Sequence, residues 1–216
     1  MQGWISVRTT KFDPRVLRHL VHPLALLPLA LLIFDTAMGR LTANPIQDFT
    51  LRTGEPALIL LILTLACTPL SLLFGWKWAI GWRRSLGLYS FLYVCLHLLV
   101  FVLLDYGVDL ALITQAVAEK RYVLAGFAGF LLMLPLAVTS TKGWQRRLGR
   151  NWRVLHRLTY GAAILGVLHF LWLAKVPREP LIYAAILGAL LLTRVPAIRR
   201  WISDRRRTLT TYRSQS

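Results

Sequence analysis

The chain has 216 residues, of which 56% are hydrophobic and 16% charged, and its mean hydropathy is positive. Several runs of about 18 or more apolar residues exceed what a soluble core helix needs, which excludes a water-soluble globular fold. The formal net charge of +17 would suit nucleic acid, but the basic residues cluster beside the apolar runs as orientation signals do. No nucleic-acid partner is expected; the partner implied is membrane lipid.

The expected fold is an all-α integral membrane protein, a six-transmembrane-helix bundle with both termini cytoplasmic. Residues 1–19 form a basic cytoplasmic N-terminal arm, 20–196 the membrane domain and 197–216 a basic cytoplasmic tail. The first span runs over about 20–38; it has no small-x-small cleavage site and is read as a retained helix. TANPIQDFTLRTGEP (42–56) reads as a polar loop broken by its prolines and glycine. The second span follows at about 56–74, and its Thr68-Pro69 requires that neighbouring groups satisfy a freed carbonyl. GWKWAIGWRR (75–84) reads as an interfacial loop. The third span covers about 85–104 and holds His97. DYGVDLALITQAVAEKRY reads as an amphipathic surface turn before the fourth span at about 122–139, where Gly126 and Gly129 permit close helix approach. A basic loop leads to the fifth span, about 154–174, with His156 near one end and His169 near the other. The sixth covers about 180–196.

Alternate loops differ sharply in charge. Lys and Arg number four in the arm, three in 75–84, five in 141–153 and six in the tail, against six in all three remaining loops. The positive-inside rule therefore directs both termini to the cytoplasm. Cys67 and Cys95 lie inside apolar spans and read as small buried hydrophobes. With no CxxC or CxxCH, a thiolate metal site and covalently attached haem are unsupported.

Ionisable side chains within a bilayer are candidate functional groups. Counted from Arg84 and Arg153 as inner boundary marks, His97 and His169 lie at depths of roughly 20 and 24 Å, within one helical turn. Spans three and five run in the same direction, so these imidazoles can face one another across a haem in the outer half of the bundle. His156 lies near the inner surface and suits a second cofactor or an interfacial role. On an ideal helix His156 and His169 point about 140° apart, so a shared role requires a distorted helix, around Gly161 or Gly166, or two cofactors approached from different directions. His22 is a weaker ligand candidate. Arg83 and Arg84 read as topology signals or as donors to a flavin phosphate, haem propionates or a quinone headgroup.

RRSLGLYSFLYVCLHL, Thr139-Ser140-Thr141, Thr68-Pro69-Leu70 and RRLGRNWRVLHRLTY…LHFLWL together resemble the haem-binding membrane subunits of periplasmic methionine sulfoxide reductase systems, within the ferric reductase-like transmembrane superfamily. The resemblance covers nearly the whole chain. It implies haem b, held by candidates among His97, His156 and His169, with an associated flavin mononucleotide (FMN). It also implies electron passage from the quinone pool or a cytosolic flavin reductase to a periplasmic molybdopterin-containing catalytic subunit that reduces methionine sulfoxide, across a bacterial inner membrane. The related oxidases carry two histidines fourteen positions apart on the third span; counting back from His97 reaches Arg83, so one haem is favoured over two. The flavin–nicotinamide domain of those oxidases is missing, and an external donor is required. The chain is thus an electron-transfer subunit rather than the catalytic one. The rival readings are a proton-coupled membrane transporter, weakened by the scarcity of acids in the spans, and a non-redox membrane anchor.

Overall fold

The computed structural model describes residues 14–198 and 200. Most of the expected cytoplasmic arm and tail lies outside them. The described elements are helical: α1 (Pro14–Ala37), α2 (Pro45–Phe74), α3 (Lys77–Leu99) continued by a π-helical segment (Val100–Asp105), α4 (Leu110–Glu119), α5 (Arg121–Val138), α6 (Lys142–Leu148), α7 (Arg150–Leu155), α8 (Leu158–Leu173) and α9 (Arg178–Leu192).

Among the described residues, five helical stretches are long and apolar enough to cross a membrane: His19–Ala37, Pro45–Phe74, Lys77–Asp105, Arg121–Val138 and Arg150–Leu173. The residues expected to form the sixth span hold α9, which has only 15 residues, is not one of these five stretches and gives way to a turn at 193–194. Pro196 lies just beyond, and a proline disfavours the helical conformation of the residue before it. The expected surface turn after the third span is the short helix α4, which Asp109 caps by accepting hydrogen bonds from the amides of Ala111 and Leu112.

Two expected loops are instead helix. Within 42–56, α2 begins at Pro45, because proline suits the first helical position and the Asn44 side chain accepts from the Gln47 amide. Gly54 and Pro56 are then carried inside a 30-residue helix whose long apolar continuation sustains it. Within 75–84, only a tight turn at Gly75 separates α2 from α3. Gly75 adopts φ 74°, a left-handed cap that costs glycine little. Arg83 and Arg84 therefore stand on the first turns of α3 rather than in a loop.

α2 is the central wall. Its side chains Ala57, Leu60 and Cys67 pack with Val21 and Ala25 of α1 and Leu86 and Tyr93 of α3. Leu61 and Leu65 pack with Met133 of α5, Ala162, Ala163 and Val167 of α8 and Leu187 of α9. A helix apolar all round its circumference can face two partners in this way. The outward sides of α1 and α9 carry exposed Leu24, Leu27, Leu31, Ile33, Leu181 and Ile182, as expected of surfaces in contact with lipid.

Several polar groups inside the bundle are tied to backbone. The fully buried Tyr93 hydroxyl donates to the Ala25 carbonyl and accepts from the Leu29 amide, entering the ladder of α1 beside Pro28. Pro69 has no amide proton, so the Leu65 carbonyl one turn earlier has no helical partner. Arg194, just beyond α9, supplies it: one terminal nitrogen donates to Leu65 O at 2.7 Å and the other to the Tyr160 hydroxyl at 2.8 Å. The requirement read from Thr68-Pro69 is met by a side chain well over a hundred residues away.

Candidate functional site

His97, on the last turn of α3, and His169, on the last turns of α8, meet inside the bundle. Their ring centroids are 6.0 Å apart and their planes stand at 89°. His97 Nδ1 donates to the Thr50 carbonyl of α2 at 3.0 Å, with the Thr53 hydroxyl oxygen at 3.4 Å; His169 Nδ1 donates to the Tyr122 carbonyl of α5 at 2.7 Å. A carbonyl only accepts, so each ring carries its proton on Nδ1 and leaves the Nε2 lone pair available. The same arrangement holds metal-ligating imidazoles in their working tautomer.

The donor set suits an iron that brings most of its own ligands. Among the described residues no three or more His, Cys, Asp or Glu gather as a metal-holding group, which disfavours a bare ion needing four protein ligands. Two neutral imidazoles suit the two axial positions of a haem. Two metal–imidazole bonds of about 2 Å, with the distance from each nitrogen to its ring centre, put the centroids roughly 6 Å apart.

His156 is not part of this pair. α7 and α8 are separated at His156 and Arg157: the His156 amide still donates to the Trp152 carbonyl four residues back, whereas the Arg157 amide turns to the Val154 carbonyl three residues back. The distortion expected near Gly161 or Gly166 thus falls at His156 itself. The ring stacks on Trp152 with centroids 4.0 Å apart, and Nε2 lies 3.3 Å from the Thr139 hydroxyl. That hydroxyl donates to the Pro135 carbonyl at 2.6 Å, so its oxygen accepts from His156 Nε2–H. His156 therefore holds the opposite tautomer from His97 and His169.

His156 lines a cavity of about 230 Å³ together with Arg83, Arg84, Ser140, Gln145, Trp152 and Thr159. Arg83 and Arg84 of α3 thus share one space with His156. Trp152 is anchored there by donating to the Thr139 carbonyl at 2.9 Å. His22 stands apart, paired with the Tyr89 hydroxyl at 2.9 Å.

Reading the chain alone missed the groups that hold the histidines. The Thr50 and Tyr122 carbonyls carry no side-chain signature. Gly54 was concealed by the loop reading, and Gly126 was noticed for close approach without its partner, which is the His169 ring. Each glycine lies four residues after the residue whose carbonyl is taken, a relation that only the packing reveals.

Comparison with known proteins adds the family. Residues 53–167 match the model of the ferric reductase like transmembrane component. A Rhodospirillum rubrum protein described as the protein-methionine-sulfoxide reductase heme-binding subunit MsrQ is 51% identical over 170 residues, covering 77% of this chain and 82% of the relative. Proteins of the same description from Xanthomonas axonopodis pv. citri and Ralstonia nicotianae are 46% and 45% identical, covering 82% and 84% of this chain and 84% and 85% of theirs. No solved structure matches the chain. The multi-pass helical fold, the matched stretch from α2 to α8 and these similarities over most of both chains together make the chain a member of the MsrQ family of ferric reductase-like transmembrane proteins.

Proposed function

We propose that the chain is a haem b membrane subunit that passes electrons from the quinone pool or a cytosolic flavin reductase to a periplasmic, molybdenum-dependent methionine sulfoxide reductase, which repairs oxidised periplasmic proteins. The observation that carries this reading is the meeting of His97 and His169 from separate helices, with both Nδ1 atoms held by carbonyls and both Nε2 atoms left to ligate. Haem, when bound, supplies reversible one-electron chemistry at iron. His97 and His169 fix its position, and the packed apolar helices around them limit access of water. The distribution of Lys and Arg supports cytoplasmic termini in a bacterial inner membrane, with the paired histidines toward the outer side.

The purified protein is expected to show a Soret band with sharp reduced α and β bands. A protein that stays free of cofactor when supplied with excess haem would favour the transporter or anchor readings instead.

The inner cavity is proposed to receive FMN or a quinone headgroup, with Arg83 and Arg84 as cationic donors to phosphate or carbonyl oxygens and His156 beside them. Replacing Arg83 and Arg84 together by Gln should slow reduction of the protein by a cytoplasmic-side donor at least about tenfold, the scale of one lost charge-assisted hydrogen bond. The ferric spectrum should be unchanged. Stopped-flow reduction at the wild-type rate would remove the cavity from the path.

A further inference from the structure

Both paired histidines press their Nδ1 edges into a neighbouring helix at the same kind of place. His97 meets the Thr50 carbonyl with Gly54 one turn later, and His169 meets the Tyr122 carbonyl with Gly126 one turn later. In an α-helix the carbonyl of residue i points toward residue i+4, and the Cβ of that residue leans back over it. Glycine at i+4 leaves the carbonyl open to a second donor arriving from the side. A Cβ on Gly126 would lie 2.7 Å from His169 Nδ1 and 3.1 Å from Cε1. A Cβ on Gly54 would lie 3.0 Å from both Nδ1 and Cε1 of His97. Gly129, on the same helix as Gly126, differs: a Cβ there would meet Leu165 Cβ at an ordinary 3.6 Å.

We propose that Gly54 and Gly126 are positioning residues that set the tautomer and the ring plane of the two axial imidazoles, by leaving the Thr50 and Tyr122 carbonyls open to Nδ1–H. This inference rests on the haem reading above. The two notches belong to different helices, and they hold the rings at 89° to one another. Axial imidazoles in perpendicular planes leave two iron d orbitals nearly equal in energy. Ferric low-spin haem then gives a strongly anisotropic electron paramagnetic resonance signal, whereas parallel planes give an ordinary rhombic one.

A methyl at Gly126 cannot coexist with the ring where it stands, so the imidazole must leave the carbonyl, turn, or withdraw. A methyl at Gly54 sits at the edge of tolerance and requires a shift of a few tenths of an ångström. The effects should therefore be graded. The full-length protein, purified in detergent with haem, is compared with Gly126→Ala, Gly54→Ala and Gly129→Ala by electron paramagnetic resonance and optical spectra, with far-ultraviolet circular dichroism as the fold check. Gly126→Ala should lose the strongly anisotropic signal, replaced by high-spin or rhombic low-spin iron, and added free imidazole should restore low-spin iron. Gly54→Ala should shift the signal less, and Gly129→Ala should match wild type. Should Gly126→Ala fail to fold, Gly54→Ala decides alone by the same signal. Wild-type signals in the folded glycine variants overturn the positioning role and leave the haem reading standing. A wild-type protein that takes up no haem overturns both.

Discussion

His97→Ala and His169→Ala should each abolish the low-spin haem spectrum while leaving the helical fold in place. Each imidazole has Nδ1 on a neighbouring carbonyl, and its other nitrogen is the one that the proposed haem would take. Without either ring the proposed haem would lose one of the two imidazoles that hold it, and its iron would turn high-spin or be lost. Electron delivery to the catalytic partner should fall by more than the roughly 10–100-fold that loss of an outer-shell partner commonly costs. Folding should survive, because Thr50 and Tyr122 lie within helices α2 and α5, where their carbonyls keep their intrahelical bonds. Free imidazole should restore low-spin iron in either variant. Retention of the wild-type low-spin spectrum in both would mean that the pair does not ligate.

The second large effect is on stability. Arg194→Leu should destabilise the bundle by about 1–3 kcal/mol, since it removes two charge-assisted hydrogen bonds and leaves the Leu65 carbonyl unpaired in an apolar interior. The cause can be isolated. Pro69→Ala returns an amide proton to the position that would otherwise pair with Leu65 O, so the Pro69→Ala, Arg194→Leu double variant should lose less than the two single changes added together. Unfolding midpoints in detergent, followed by circular dichroism, measure this directly. Strict additivity would show that Arg194 matters through something other than the proline-freed carbonyl.

These two predictions rest on different levels of what the amino-acid sequence makes legible. His97 and His169 stood out because charge-capable side chains are rare in apolar spans, and equal depth along parallel helices suggested that they meet. Depth follows from counting residues at a fixed rise, so it survives errors in loop placement. Helix starts did not fare as well. Proline, asparagine and glycine between 42 and 56 are turn formers in isolation, yet Asn44 and Pro45 act as cap and first position and the rest is absorbed. The 140° between the histidines of the fifth span left a bent helix and two separate cofactors as alternatives; the turn falls at His156, where Trp152 and Thr139 hold the ring.

What the amino-acid order determined unaided was therefore the membrane setting, most of the apolar spans and the two histidines level with each other. These depend on local composition and on the constant rise of a helix, which neighbours change little. Only the tertiary structure decided which nitrogen of each ring is free, which glycine makes room for it, and which distant arginine repairs the break at Pro69. Those are contacts between helices far apart in the chain, and a carbonyl or a missing Cβ acquires meaning only from what is packed against it.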